Sequence, residues 1–379
     1  PNTTVRVTIE RLLDGERVEK KIRRERISIP SISYVGYVDE GTGYIRHADF
    51  TDGCYDEMRA AVERLQREGV LERLILDYRG NGGGVMQSAV KVLSLFLPKG
   101  TTVLSLKGRA EGESRTFRTE YEPLLPDVPI AVLINNNSAS AAEIVAGALQ
   151  DLDRAVLLGQ RSFGKGLVQS QTPFEDGSAL RLTIARYYTP TGRSIQKPYP
   201  AGEGESYEHD LIDRFNRNEF FSADSIHFAD SLKFTTPKGK TVYGGGGIMP
   251  DVFIPMDTLD MTKYFMEVSG RNILYRYTIE YADKHREALN KVQTMDELTA
   301  LLDSDKNLFD DFVRYAEKQG VKPNWKDINR SRYIMEAQLR AYISRNSNLE
   351  DNAFYYFIRP IDKTVLRAIE ELETESGKR

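Results

Sequence analysis

The 379-residue sequence has a single cysteine, Cys54, so no intramolecular disulfide framework can form, and a lone small thiol reads as a buried core residue. Only four histidines occur: His47, His209, His227 and His285. They are scattered and no Cys/His cluster accompanies them, which argues against a bound metal. None lies in a Gly-x-Ser-x-Gly elbow, so a Ser-His-Asp triad has no support. The glycine-rich stretches lack the spacing of a phosphate loop, and no cofactor is expected. No apolar run approaches the ~20 residues of a membrane-spanning helix, and the chain opens at Pro1 without an initiator methionine or leader, which reads as a processed or engineered start. One sign of charge does not dominate either. Lys and Arg number 52 against 56 Asp and Glu, a formal charge of -4, so charge balance gives no pull toward nucleic acid or anionic membrane. The short basic run Lys20–Arg26 reads as a solvated strand face.

What is present is a chain long enough for two or three domains, with 40% hydrophobic residues. Val5, Val7 and Ile9 alternate with polar residues, Asp14-Gly15 marks a turn, and Val18 and Ile22 begin a return strand, predicting a small β element over 1–32. Short strands follow at Ser33–Val38 and Gly43–His47. A helix then carries Met58, Val62 and Leu65 on one face, capped by Thr51 or Asp52 and closed by Gly69. The apolar strand Leu74–Leu76 runs into Asp77–Gly84 and an apolar-periodic segment, Val85–Phe96. The pattern recurs as strand Pro129–Ile134, helix Ser138–Asp151 and strand Ala155–Leu158, predicting βα units on a shared sheet. Leu180–Tyr188 adds a long strand. Residues 198–240 read as an insertion within a core of 33–255. From 256 to 379 the chain reads as a helical domain, with Met335, Leu339, Tyr342 and Ile343 on one face and Val365, Ile369 and Leu372 on another.

Two segments carry chemistry. Asn137–Gln150 places Ser138 and Ser140 at a helix start, and Gln160–Gln169 places Lys165 between two glycines. A serine hydroxyl needs a base, and a lysine serves only when uncharged, which calls for a water-poor surrounding. Gly164 and Gly166 allow close packing, with Phe163 and Leu167-Val168 as an expected dry wall. Ser140 is expected in the first helical turn, where the Ala141 amide is a natural oxyanion donor and Gly82–Gly84 could bring a second. On local signal alone these serines are more readily helix caps than nucleophiles, and a lone lysine is usually solvated.

The combination is more specific. Leu76–Gly84, Ser138–Gln150, Phe163–Gly166, Ala185–Ile195 and Gly245–Asp251 resemble, in order, the motifs of the carboxyl-terminal processing (tail-specific) peptidases. The resemblance implies an α/β Clp-protease/crotonase-like core. It also implies a dyad in which the lysine follows the serine by 25 positions, assigning Ser140 as nucleophile rather than Ser138 and Lys165 as base. Further implications are Gln169 holding the amine, and Ala141 and Gly84 forming the oxyanion hole. The family's PDZ domain is reduced to Thr4–Arg23, and Ala142 stands where many members have serine. The resulting expectation is an endopeptidase acting near protein C-termini in the cell envelope, periplasm or another extracytoplasmic compartment. A non-catalytic peptide-binding protein on the same fold is the alternative. An acyl-CoA enzyme of crotonase type lacks a paired acidic catalyst. The helical tail is a candidate for pairing protomers into a homodimer or for covering the site.

Overall fold

Arg73–Asp77 and Ile130–Ile134 are short, almost uninterrupted apolar runs, the pattern of strands covered on both faces. In the computed structural model both are buried at the centre of a sheet. The structure describes all residues except 12–14, 28, 111, 199–203 and 377–379, and the backbone only of 204–208 and 375–376. It divides into two compact units.

The core unit comprises Pro30–Met256 and Lys363–Arg379. Its strands are β3 (Ile32–Tyr37), β4 (Thr42–His47), β5 (Arg73–Asp77), β6 (Thr102–Gly108), β7 (Arg115–Arg118), β8 (Ile130–Ile134), β9 (Ala155–Gly159), β10 (Leu167–Pro173), β11 (Ala179–Tyr188), β12 (Lys233–Thr235), β13 (Thr241–Tyr243) and β14 (Val252–Phe253). Its helices are α1 (Cys54–Glu68), α2 (Met86–Leu93), α3 (Ala141–Asp151), α4 (Gly204–Asn216) and, at the C-terminal end, α12 (Lys363–Ser376). A six-stranded sheet runs in the order β14-β9-β8-β5-β4-β3, parallel except for the antiparallel edge strand β3. A second, antiparallel sheet runs β10-β11-β6-β7. Helix α3 is buried along its whole length, as expected of a helix apolar on nearly every side. The core is thus α/β, with βα units sharing one sheet.

Some boundaries differ from the sequence expectation. Helix α1 is capped by Gly53, not by Thr51 or Asp52, because the Thr51 hydroxyl hydrogen-bonds Ser31 at 2.6 Å. Strands β6 and β7 carried no expectation. The stretch expected as an insertion, 198–240, holds α4 and β12 among its described residues, with β13 just beyond it; 199–203 lie outside the described residues. Burial pushes the Cys54 thiol up to about 12, which makes it an inert core residue.

The other unit comprises Pro1–Ile29 and Asp257–Asp362. It contains the antiparallel hairpin β1 (Thr4–Glu10) and β2 (Arg17–Arg23); Asp14 of the expected turn lies outside the described residues. It also contains α5 (Lys263–Gly270), α6 (Ile273–Lys284), α7 (Arg286–Leu289), α8 (Met295–Ser304), α9 (Leu308–Lys318), α10 (Trp325–Ser344) and α11 (Glu350–Ile358). Their core gathers Tyr277, Leu298, Phe312, Met335 and Leu339. The helical stretch expected to run to 379 is divided at Asp362. Val365, Ala368 and Leu372 of α12 are buried in the core unit, where that helix packs on β5, β8 and β9.

Candidate active site

Strand β8 leaves the sheet at Ile134, and after a tight turn the chain enters α3 at Ala141. Ser140 is the residue between, the N-cap rather than part of the first turn, with φ 56° and ψ −116°. A positive φ in a residue with a β-carbon is strained, and such strain persists only where surrounding contacts over-determine it. Those contacts are specific. Ser138 is buried, its hydroxyl donating to the Tyr78 carbonyl at 2.8 Å and accepting from the Asn135 amide at 2.9 Å. Ser138 therefore anchors the turn to the end of β5 and is not a helix cap.

The glycine junction after β5 lies directly against this turn. A β-carbon on Gly83 would sit 2.6 Å from that of Ser140, and one on Gly84, whose φ is +138°, would sit 2.2 Å from the Phe50 carbonyl oxygen. Only glycine fits at either position. Buried Asn81 ties the two loops together: its carbonyl accepts from the Ala139 amide at 2.9 Å, its side-chain oxygen from Gly83 at 2.8 Å, and its amide group donates to the His47 carbonyl at 2.8 Å. Below it, burial alone would raise the carboxyl of Asp77, but Arg79 and Arg46 hold it below its ordinary value. His47 is buried against the Phe50 and Tyr78 rings, and burial pushes its imidazole down to about 4, so it is neutral at physiological pH.

Phe50 bridges Gly84 in parallel fashion, accepting from the Val85 amide at 2.7 Å and donating to the Gly83 carbonyl at 2.9 Å. This pattern uses the flanking peptide groups and leaves the amide of Gly84 itself out of the bridge. Among the described residues no hydrogen bond occupies the amides of Ala141 or Gly84. Two donors are thus open on the two loops that Gly83 brings into contact.

The lysine loop is joined to the serine turn through Glu143, which is fully buried. Its Oε2 accepts the amides of both Ser140 and Lys165 at 2.9 Å, and its Oε1 accepts the Gly164 amide at 2.7 Å and the Ser162 hydroxyl at 2.5 Å. Burial raises the carboxyl of Glu143 above its ordinary value, against the lowering effect of these four donors. Tyr187 of β11 adds a second clasp, its hydroxyl donating to the carbonyls of Lys165 at 2.5 Å and Ser140 at 3.2 Å. Gly164 and Gly166 are required here: added β-carbons would lie 2.9 Å from the Gly247 and Gln196 amide nitrogens.

The structure therefore brings the backbones of Ser140 and Lys165 onto one carboxylate oxygen and one hydroxyl. Among the described residues no hydrogen bond joins the Ser140 hydroxyl, the Lys165 amine and the Gln169 side chain. Lys165 is half-buried, and Gln169 is exposed on β10 just after a register shift between Val168 and Gln169. Such irregularities re-aim a side chain. The Phe163 ring has the Lys197 amine 4.1 Å from its centroid.

The far end of α3 is fixed by the two remaining motifs. Buried Arg193 pairs with Asp151 at 2.7 Å and donates to Gln150 at 2.7 Å, while Asp251 accepts from Gln150 at 2.8 Å and the Leu157 amide at 2.9 Å. Sequence reasoning missed Glu143, Tyr187 and Asn81. For Glu143 a signal existed, since Ser140-Ala-Ala-Glu143 has capping-box spacing. Tyr187 and Asn81 act across long sequence separations that no local pattern reports.

Residues 41–201 match the model of peptidase family S41, and residues 264–347 match a family of unknown function, DUF8443. A carboxy-terminal-processing protease of Bartonella bacilliformis is 41% identical over 197 residues, 51% of this chain and 45% of that protein. A carboxyl-terminal-processing protease of Synechocystis is 36% identical with the same coverage. A probable CtpA-like serine protease of Staphylococcus aureus is 36% identical over 196 residues, 51% of this chain and 38% of that protein. The chain thus spans about half the length, or less, of these curated relatives. Among solved structures, a photosystem II D1 C-terminal processing protease aligns with a TM-score of 0.42 at 24% identity, covering 68% of this chain and 57% of that one.

Proposed function

We infer from the match of residues 41–201 to the model of peptidase family S41 that this chain is a serine peptidase, and we propose that it works through Ser140 and Lys165. The observation that carries the reading is the shared clamp. Glu143 and Tyr187 each bond the backbone of both residues, at a strained helix entrance beside two open amides. In this mechanism the uncharged Lys165 amine takes the proton of the Ser140 hydroxyl as its oxygen attacks the scissile carbonyl. The resulting oxyanion accepts from the amides of Ala141 and Gly84, and the positive end of α3 faces the developing charge. Lys165 then returns its proton to the leaving amine. Water, deprotonated by the same amine, hydrolyses the acyl-enzyme on Ser140. Gln169 is assigned to orient the amine once the site is filled.

The proposed substrates are proteins or peptides cleaved near their C-termini, bound as an added strand with main-chain hydrogen bonds. The proposed setting is the cell envelope or another extracytoplasmic compartment; among the described residues no helix is long and apolar enough to cross a membrane. Proteolysis of an unfolded test protein by wild type, Ser140→Ala and Lys165→Ala side by side tests the reading. Wild type is expected to cleave, with each substitution lowering turnover on the order of 10⁴-fold or more. Full activity in Lys165→Ala would refute the assigned base.

A further inference from the structure

The segment leading into Lys165 also borders a cavity of about 370 Å³ in the core unit, whose charged lining includes Arg161, Lys197, Asp210, Arg217 and Glu219. Behind it lies Arg214, only 1% exposed, donating to the carbonyls of Ser162 at 3.0 Å and Arg161 at 2.8 Å, so that it fixes the backbone of the loop. The charges do not balance. Arg161, Arg214 at 3.4 Å and Arg217 at 2.9 Å all converge on the single carboxylate of Glu219, while Lys197 pairs with Asp210 at 3.0 Å. Among the described residues four cations thus face two carboxylates. Glu143, which accepts four hydrogen bonds from its own loops, also acts electrostatically on Arg214 and Lys197, and counting it the cations still outnumber the carboxylates among the described residues.

Three guanidiniums converge on the one carboxylate of Glu219, and the Nε atoms of Arg161 and Arg214 are buried without a hydrogen bond. Burial and the like charge of Arg161 push the Arg214 guanidinium down to about 10, which still leaves it cationic at neutral pH. A β-carbon on Gly246 would lie 3.1 Å from Nη1 of Arg161, so the glycine keeps the cavity side of that guanidinium clear. Concentrated positive charge in a recess is stabilised by an anionic group that reaches it with hydrogen bonds. The loop forming one wall, Arg161 to Phe163, is the one that carries Lys165 two residues later.

We propose that this cavity is a subsite for a carboxylate of the peptide substrate, bound by Arg161, Arg217 and Lys197. The proposal rests on the peptidase reading for the identity of the ligand, and its carboxylate has two sources, the chain terminus or an acidic side chain. The test is fluorescence anisotropy of four labelled peptides of one length on the full chain carrying Ser140→Ala. One peptide has a free terminus and a glutamate, one an amidated terminus and the glutamate, one a free terminus with glutamine, and one neither carboxylate. Removing the recognised carboxylate is expected to weaken binding roughly tenfold or more, the effect of a charge-assisted pair, and the peptide that loses affinity identifies the source. Adding Arg161→Gln is expected to erase that difference. Arg217→Ala, at a half-exposed position that folding tolerates more readily, is expected to reduce it. Equal binding of all four peptides, binding of none, or a difference that survives both substitutions would overturn the proposal. Because the readout is binding to a serine-less protein, a wild type that cleaves nothing would sink the peptidase reading while leaving this result intact.

Discussion

Around Ser140 nearly every backbone group is committed to a named partner, whereas Gln169, four residues after Lys165, sits on an arm formed by β10 and β11 that is exposed along most of its length. The first region uses buried polar groups with full hydrogen bonding, together with glycines at positions where a methyl group would collide with backbone. The second has a register shift and solvent on both faces. Precision in this molecule is therefore concentrated where a strained backbone and two open amides must be held. The group assigned to steady the lysine lies where adjustment is cheap. The contrast orders the expected effects of substitution.

Among the groups that support the proposed dyad, the largest belongs to Gly84→Ala, which places a methyl group 2.2 Å from the Phe50 carbonyl and displaces the amide proposed as an oxyanion donor. Loss of one such donor lowers kcat by roughly 10²- to 10³-fold, with KM little changed. Next is Glu143→Gln, which keeps the shape but aims N–H groups at other N–H groups. It is expected to lower thermal stability by about 2–3 kcal/mol in an unfolding titration and to lower kcat as well. The pH profile sharpens this prediction. Because the Glu143 carboxyl is raised, it takes up its proton at a higher pH than an ordinary glutamate, and activity falls as the pH drops through that value. Its effect on stability has the opposite sign: a raised folded-state pKa contributes stability that is full below the unfolded value and lost as pH rises through the folded one. Acidification should therefore silence the enzyme without this group unfolding it, and Glu143→Gln should lose that limb of the profile. Tyr187→Phe removes one hydroxyl from two carbonyls and should cost about 1 kcal/mol in denaturant unfolding, with a fall in kcat larger than the fall in stability accounts for. Gln169→Ala should be mildest, roughly tenfold or less in kcat with an unchanged Tm, since its side chain is exposed and holds nothing in the described structure. A Gln169→Ala variant that unfolds, or a Glu143→Gln variant indistinguishable from wild type, would break the contrast.

Much of this arrangement was legible in the chain. The alternation of apolar strand, turn and apolar-periodic helix located β5, β8, β9 and α3, because buried parallel strands and a buried helix each leave an unbroken hydrophobic signature. The glycines of the Asp77–Gly84 junction marked a close approach without revealing what approached. Ser140 was placed one position too far into its helix, because the cap residue and the first helical residue differ in φ and ψ rather than in composition. Glu143 read as part of a motif and could have been taken further through its capping-box spacing. Tyr187 and the cation-rich cavity could not, since both depend on residues tens of positions apart meeting through the fold. The division of the helical region at Asp362 was likewise hidden, because Val365, Ile369 and Leu372 show that α12 has an apolar face and not which core receives it.

The central claim is that Ser140 is a nucleophile activated by Lys165. Mass-spectrometric mapping of the adduct formed with a reagent directed at activated serines tests it most directly. The expected result is a covalent adduct on Ser140 in wild type, absent in Lys165→Ala and retained in Gln169→Ala. An adduct on Ser138, an equal adduct on Ser140 without Lys165, or no adduct at any pH that preserves the fold would contradict it.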